Sequence, residues 1–213
     1  MRLGLLGGTF NPIHFGHLRA AEEIRENLAL DRITFIPSAL PPHKEVQPPI
    51  TGVDRLEMVR QAVADHPFFE VSEVEMNRPG LSYTIETLRH FSKKAGAATE
   101  LFFMVGMDAF LEIDTWKLFR ELFRLSHFVV LARPGSPDAL KRFLTEHISA
   151  DYQYQPESKC YLHPELHTVF FRNVTALDIS STKIRSLVHE GRSIRYLVPK
   201  IVEAYIIRKG IYQ

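Results

Sequence analysis

Two histidines, His14 and His17, directly follow a glycine-rich turn, and together they could bind the phosphates of a nucleotide. The turn begins with Gly7 and Gly8, where the lack of a Cβ atom lets the backbone approach a ligand closely. An apolar run, Leu3 to Leu6, precedes the turn and predicts a buried strand. A helical pattern follows, so its free N–H groups and positive dipole end point toward the same space. The segment therefore predicts a triphosphate site at a strand-to-helix junction.

Two common phosphate-binding motifs do not describe this turn. A P-loop ends in Gly-Lys-Ser/Thr, and the dinucleotide fingerprint has the form G-x-G-x-x-G. Neither pattern occurs after the first strand. The alternative to a phosphate ligand is a structural role, in which His14 is a hydrogen-bonded histidine of a glycine turn.

A second set of polar side chains lies near the other end of the chain. Ser180, Ser181, Thr182 and Arg185 follow the apolar run Val169 to Phe171 and open another helical pattern. One serine hydroxyl could cap that helix by accepting an N–H of its first turn. The hydroxyls and the fork-shaped guanidinium are also donors suited to phosphate.

Both segments resemble motifs of one superfamily. His14-x-Gly16-His17 resembles the HxGH signature that certain nucleotidyltransferases share with class I aminoacyl-tRNA synthetases, and Ile179 to Arg185 matches their ISSTxIR motif. The resemblance implies that the histidines hold the triphosphate while charge builds up on the departing pyrophosphate. It also implies that the second motif closes over the triphosphate from the opposite side.

Three further segments resemble the bacterial nicotinate-nucleotide adenylyltransferases in particular. Pro41 to Lys44 resembles their PPHK loop, and Arg133 to Gly135 resembles their RPG turn. Gly106, Asp108 and Trp116 match their GxD…W arrangement. The resemblance thus covers nearly the whole chain, with the motifs in matching order.

This resemblance implies a set of site residues. The catalytic residues would be His14, His17 and Arg185. The ATP-binding residues would be Gly7, Gly8, Thr9, Phe10, His14, His17, Gly106, Asp108, Ser180, Ser181, Thr182 and Arg185. The residues that bind the pyridine mononucleotide would be Lys44, Tyr83, Thr84, Trp116 and Arg133.

Some of these residues also have simpler structural interpretations. Lys44 could be a solvated loop lysine, and Trp116, the single tryptophan, could pack in the core with Phe119 and Leu122. Ser82 could cap the helix whose pattern begins beside it.

The reaction that the resemblance implies is transfer of AMP from ATP to nicotinate mononucleotide, which gives deamido-NAD and pyrophosphate in NAD biosynthesis. The chain has no obvious covalent nucleophile, and the phosphate of the mononucleotide can itself attack the α-phosphorus. Catalysis then consists of in-line placement and charge neutralisation, with Mg²⁺ carried in by ATP. Asn11 stands where the motif often has Asp, and its amide lacks a charge that could help to position a metal.

Other functions stay open on the sequence alone. The chain could adenylylate nicotinamide mononucleotide, phosphopantetheine or another phosphate monoester, or it could be a regulator that binds ATP without turnover. An RNA-binding module related to the synthetases is disfavoured, because 26 basic and 25 acidic residues leave a net charge of only +1.

Composition predicts one intracellular α/β domain spanning residues 1–213. Apolar residues make up 45% of the chain, yet no apolar run has membrane length. A single cysteine, Cys160, excludes an internal disulfide and favours a reducing cytoplasm. Neither a nucleic-acid nor a membrane partner is expected, and assembly into a homo-oligomer stays open.

Strand and helix patterns alternate five or six times, and such alternation predicts a single doubly wound, Rossmann-like parallel sheet with helices on both faces. The site should then lie at the carboxyl edge of the strands, near the switch in strand order. The stretch from Asp151 to His167 fits this pattern least. Its Cys160, His163 and His167 only faintly suggest a metal site, and a surface insertion or subunit contact is the favoured interpretation.

Overall fold

The computed structural model describes residues 1–41, 50–96, 98–132 and 138–213. Within these residues the chain forms eight strands: β1 (Arg2–Gly8), β2 (Arg32–Pro37), β3 (Phe69–Val71), β4 (Glu100–Gly106), β5 (His127–Ala132), β6 (Gln153–Gln155), β7 (Cys160–Leu162) and β8 (Val169–Asn173). The helices are α1 (Phe15–Asn27), α2 (Gly52–Val63), α3 (Thr84–Ala95), α4 (Met107–Phe110), α5 (Phe119–Leu125), α6 (Asp138–Phe143), α7 (Ser181–His189) and α8 (Lys200–Lys209). A 3-10 turn at Ile113–Thr115 follows α4, and a π-helical turn at Leu144–Ile148 follows α6.

The strands form one sheet in the order β3-β2-β1-β4-β5-β8-β7-β6. All pairs from β3 to β8 are parallel. The strand order reverses between β1 and β4, and this reversal opens a crevice at the carboxyl ends of those two strands. The predicted doubly wound α/β fold is confirmed.

Alternate residues of the central strands supply two separate apolar cores, one on each face of the sheet. In β4, Phe103 and Val105 belong to one core, while Phe102 and Met104 belong to the other. The first core is completed by side chains of α3 and α5, and the second by side chains of α1, α2, α7 and α8. Each fully buried large side chain contributes roughly 1.5 to 3 kcal/mol, so the carboxyl edge of the sheet rests on well-packed layers.

The serine cap predicted for the helix of the second motif is confirmed. Ser180 caps α7, because its hydroxyl accepts the N–H of Lys183 at 3.1 Å. Gly210 ends α8 in the left-handed conformation at φ 62°. The capping role considered for Ser82 was wrong: its hydroxyl accepts the N–H groups of Ala39 and Leu40 instead, at 3.0 and 3.3 Å.

The stretch from Asp151 to His167 departs from expectation. It contains β6 and β7, which extend the sheet in an antiparallel sense, and Cys160 is buried on β7. Strands of three residues are too short to leave a periodic signal in the sequence. His163 contacts the hydroxyl of Ser149 at 3.0 Å and accepts two backbone N–H groups. In the described part of the chain, no three potential ligand side chains are grouped as a metal site would require.

Across the described ranges, none of the helices combines the length and apolar character needed to cross a bilayer.

Candidate active site

The crevice between β1 and β4 contains a cleft of about 690 Å³. Both predicted motifs line it, together with the carboxyl ends of β1 and β4. The lining residues from these segments include Gly7, Gly8, Thr9, Phe10, Asn11, His14, Gly16, His17, Gly106, Ser180, Ser181, Thr182 and Arg185. The fold therefore brings the two ends of the chain to one place.

Glycines at two positions allow the aromatic rings of the β1–α1 loop to pack against the backbone. A Cβ atom on Gly8 would lie 3.0 Å from Cζ of Phe10, and a Cβ atom on Gly16 would lie 3.0 Å from Nδ1 of His14. Phe10 itself adopts a left-handed φ of 46°. Any larger residue at Gly16 would require the His14 ring to shift by a few tenths of an ångström.

The two histidines form a stacked pair. Their ring centroids are 3.7 Å apart, and the ring planes differ by 23°. The backbone N–H of His14 donates to Nδ1 of His17 at 3.3 Å, so the proton of a neutral His17 ring lies on Nε2. His17 thus presents one defined N–H donor.

Burial controls the charge of this pair. His14 is 6% exposed, and desolvation lowers its pKa to about 4. Desolvation, and secondarily the neighbouring His14, lowers the pKa of His17 well below its ordinary value. Both imidazoles are therefore neutral near pH 7. A bound polyanion would offset the desolvation and favour protonation.

The second motif is hydrogen-bonded directly to the β1–α1 loop. Ser181 Oγ donates to the carbonyl of Pro12 at 2.8 Å, and Arg185 Nη1 donates to the carbonyl of Asn11 at 2.8 Å. Arg185 Nη2 also contacts Thr182 Oγ1 at 3.2 Å. These contacts hold α7 across the cleft from the glycine turn, so the N-terminal ends of α1 and α7 both face it.

A second cavity of about 230 Å³ adjoins the cleft. Its walls come from the ends of β1 and β2, the start of α3 and the segment after α4. Both cavities share the residues Gly7, Gly8, Thr9, Phe103, Ala109 and Trp116. A ligand in one cavity would therefore lie next to a ligand in the other.

Aromatic side chains shape the second cavity. Trp116 is half-buried, lines both cavities and stands edge-on to Phe103, with ring centroids 6.4 Å apart. Tyr83 lines the second cavity, and Lys117 Nζ lies 4.3 Å from the centroid of its ring. Thr84 begins α3 at the same wall. These surfaces suit a planar ring.

Residues 5–187 match the cytidylyltransferase-like family. A protein of Syntrophotalea carbinolica, named "Probable nicotinate-nucleotide adenylyltransferase", is 49% identical over 100% of this chain and 98% of its own length. Proteins of Geotalea daltonii and Geobacter sulfurreducens carry the same name, with 47% and 46% identity over the same shares. The chain belongs to the cytidylyltransferase-like family and groups with the nicotinate-nucleotide adenylyltransferases.

Solved structures agree on the fold of this family member. The nicotinic acid mononucleotide adenylyltransferase of Plasmodium falciparum, complexed with NaAD, superposes with a TM-score of 0.75 at 16% identity, covering 99% of this chain and 97% of that chain. The same enzyme complexed with APC gives a TM-score of 0.72, also at 16% identity, and covers 99% of this chain and 96% of that chain. At this identity the likeness establishes the shared architecture.

Some of the site residues that the sequence predicts for this chain do not lie in the wall of either cavity. Gly106 lines the cleft, but the exposed Asp108 is absent from the walls of both cavities, because it follows the first residue of α4 on the solvent side. Its predicted contact with a ribose stays a prediction. Lys44 and Arg133 lie outside the described residues.

Sequence reasoning missed several residues that shape the site. Arg55 on α2 is 1% exposed, and its Nη1 and Nη2 donate to the carbonyls of Thr9 at 2.7 Å and Ala39 at 3.1 Å. The buried Glu75 accepts the hydroxyl of Thr87 at 2.6 Å in the wall of the second cavity. An arginine on an otherwise apolar helix face was the available signal for Arg55.

Proposed function

We propose that the protein transfers the adenylyl group of ATP to nicotinate mononucleotide, forming deamido-NAD and pyrophosphate. The observation that carries this proposal is the pair of adjoining cavities with one shared wall at the end of β1. The larger cleft has imidazole, hydroxyl, guanidinium and backbone N–H donors for a triphosphate. The smaller cavity has the aromatic surfaces for a pyridine ring.

The reaction needs no base and no covalent enzyme intermediate. An anionic oxygen of the mononucleotide phosphate forms a new bond to the α-phosphorus of ATP, and the bond from that phosphorus to the bridging oxygen of the β-phosphate breaks. The electron pair leaves with pyrophosphate. The protein places the two phosphates in line and disperses the charge that builds up on the leaving group.

Groups from both motifs serve the leaving group. His17 offers its Nε2–H, while Arg185 carries a permanent positive charge at the start of α7. The helix ends at α1 and α7 add oriented N–H groups that need no rearrangement as charge develops. Trp116 and Tyr83 orient the mononucleotide by contact with its pyridine ring.

The donor set also bears on Mg²⁺. Among the described residues that line the cleft, no carboxylate is present, and the Asn11 amide oxygen accepts the hydroxyl of Tyr212 at 2.6 Å. These residues fit a magnesium ion that arrives bound to the phosphates of ATP as part of the substrate. In that form the ion supplies charge neutralisation on the triphosphate, while the donors of the protein hold the phosphate oxygens.

The test is a substrate screen that measures pyrophosphate release with Mg-ATP. We expect turnover with nicotinate mononucleotide, and a lower kcat/KM with nicotinamide mononucleotide and with phosphopantetheine. A reaction with ATP alone is the blank. Identification of deamido-NAD as the second product completes the stoichiometry of the reaction. Binding of ATP without pyrophosphate release in the presence of any of these acceptors would instead make the protein a regulator. The single cysteine further leads us to propose a cytoplasmic location.

A further inference from the structure

Tyr212 reaches into the phosphate-binding loop from the turn that follows α8. The residue is 6% exposed, and its hydroxyl donates to Oδ1 of Asn11 at 2.6 Å. These residues are 201 positions apart in sequence. Tyr212 is not among the residues that line either described cavity, so it touches the loop from behind.

The turn that carries Tyr212 has an unusual backbone conformation. Gly210 has φ 62° and Tyr212 has φ 70°, and the N–H of Ile211 donates to the carbonyl of Ile206 at 3.1 Å. A left-handed φ is unfavourable for a bulky aromatic residue, so surrounding contacts must hold Tyr212 in place. The contact with Asn11 is one of them.

Three carbonyls of the loop around Asn11 also accept hydrogen bonds from α2 and α7. Arg185 donates to the carbonyl of Asn11, while on either side of it Arg55 donates to the carbonyl of Thr9 and Ser181 donates to the carbonyl of Pro12. Tyr212 contacts the Asn11 side chain through its hydroxyl. The backbone between Gly8 and His14 is therefore tied to α2, α7 and the turn after α8.

The chemistry of a tyrosine suits this position between two cations. Burial raises the pKa of Tyr212, and the nearby Arg185 and Arg55 oppose that rise. The hydroxyl stays neutral near pH 7, so it can donate to Asn11 without pairing with Arg185. A carboxylate at this position would attract the guanidinium of Arg185 and neutralise charge that the triphosphate needs.

We propose that Tyr212 is a positioning residue for adenylyl transfer, which acts by fixing Asn11 and hence the loop that carries His14. This inference rests on the proposed function. Misplacing a reacting group by about 1 Å can lower a rate by about 100-fold, so loss of one contact behind the loop should reduce kcat.

Replacement of Tyr212 by Phe tests the hydroxyl alone. We expect kcat with ATP and nicotinate mononucleotide to fall by about tenfold, while the affinity for an unreactive ATP analogue, followed by fluorescence of Trp116, changes by less than about threefold. Tyr152→Phe is the matched control, because Tyr152 is 4% exposed and donates its hydroxyl to the carbonyl of His167 at 3.0 Å, away from the cleft. Its kcat should match that of the wild type at a similar loss of Tm.

A double-mutant cycle separates positioning from general destabilisation. Asn11→Ala removes the same contact from the loop side, and the kcat loss of Asn11→Ala plus Tyr212→Phe should be far smaller than the product of the two single losses. Equal kcat values for Tyr212→Phe and Tyr152→Phe, or multiplicative losses in the cycle, would overturn the inference. An inactive wild type would instead refute the proposed function, so the two failures are distinguishable.

Discussion

The imidazole of His17 stacks on that of His14 while its Nδ1 accepts the backbone N–H of the same residue. One ring nitrogen is thus used to begin α1, and the other is left as a donor at the cleft. Stacking and hydrogen bonding together define both the tautomer and the direction of the ring. This arrangement leads to the first prediction.

We expect His17→Ala to lower kcat by about 100-fold or more, which is the usual loss when a preorganised donor is removed. The free energy of unfolding should change by only about 1 kcal/mol. Pyrophosphate release and thermal melting give the two values, and the exposed His90→Ala serves as control.

Two isosteric variants sharpen this prediction. His17→Gln keeps a donor near Nε2, whereas the shorter amide of His17→Asn reaches only the position of Nδ1 and leaves no donor near Nε2. The Gln variant should therefore retain more kcat than the Asn variant. The reverse order, or near-normal turnover of His17→Ala, would remove the ring from the catalytic role.

The lowered pKa of His14 predicts a loss of stability in acid. Because its pKa falls from 6.5 to about 4 on folding, the unfolded chain binds more protons between those values. The contribution of neutral His14 to the free energy of unfolding is fully present above pH 6.5 and is lost as the pH falls toward 4. The loss is on the order of 3 kcal/mol.

Urea unfolding of the wild type and of His14→Gln at several pH values measures this contribution. Burial lowers the pKa of His127 to about 4 as well, so the difference between the two proteins is needed, and it reports His14 together with its effect on His17. Parallel curves for the two proteins between pH 4 and 6.5 would contradict the prediction.

Arg185 should not be replaceable by lysine. Its two terminal nitrogens reach different partners, the carbonyl of Asn11 and the hydroxyl of Thr182, and a single ammonium cannot reproduce that fork. We expect Arg185→Lys to lower kcat/KM for ATP by about 10- to 100-fold. Arg192→Lys, at an exposed arginine paired with Glu190, is the control in the same kinetic assay. Full activity of Arg185→Lys would show that charge alone suffices.

The position of Trp116 agrees with both roles that the sequence left open, a core residue and a contact of the pyridine ring. It packs against the core that contains Leu122, and it also lines both cavities. Trp116→Leu should raise KM for nicotinate mononucleotide by about tenfold, because offset stacking contributes about 0.5 to 1.5 kcal/mol. Trp116→Phe should raise it less. Steady-state kinetics decide between the roles: a lower Tm with unchanged KM would leave only the core role.

Local signals were enough to predict most elements of this fold. The apolar runs Leu3 to Leu6 and Val169 to Phe171 lie in β1 and β8 as predicted, and Gly210 directly follows the last residue of α8. Hydrophobic periodicity reports burial directly, so long central elements are readable. The strands β6 and β7 were missed because three residues are too few to show a hydrophobic period.

The site residues also divide into those that the sequence could predict and those that it could not. Glycines, histidines and the hydroxyl-arginine cluster were recognisable as candidate phosphate ligands, because their chemistry is written in residue types at short spacing. Tyr212 was not recognisable, and the apolar helix face around Arg55 indicated its burial but not its partners. Their partners are backbone carbonyls and an amide that lie far away in sequence, and no local pattern records such a contact.

The amino-acid sequence by itself determined the family, the doubly wound class and the donors available for phosphate, because these depend on residue identity and local order. Only the tertiary structure decided that Ser181 and Arg185 bond to the β1–α1 loop, and that Trp116 lines two adjoining cavities. The physical reason is that burial and neighbouring groups set the tautomer of His17, the pKa values of both histidines and the partners that each side chain can reach. Those neighbours come together only when the strand order reverses between β1 and β4.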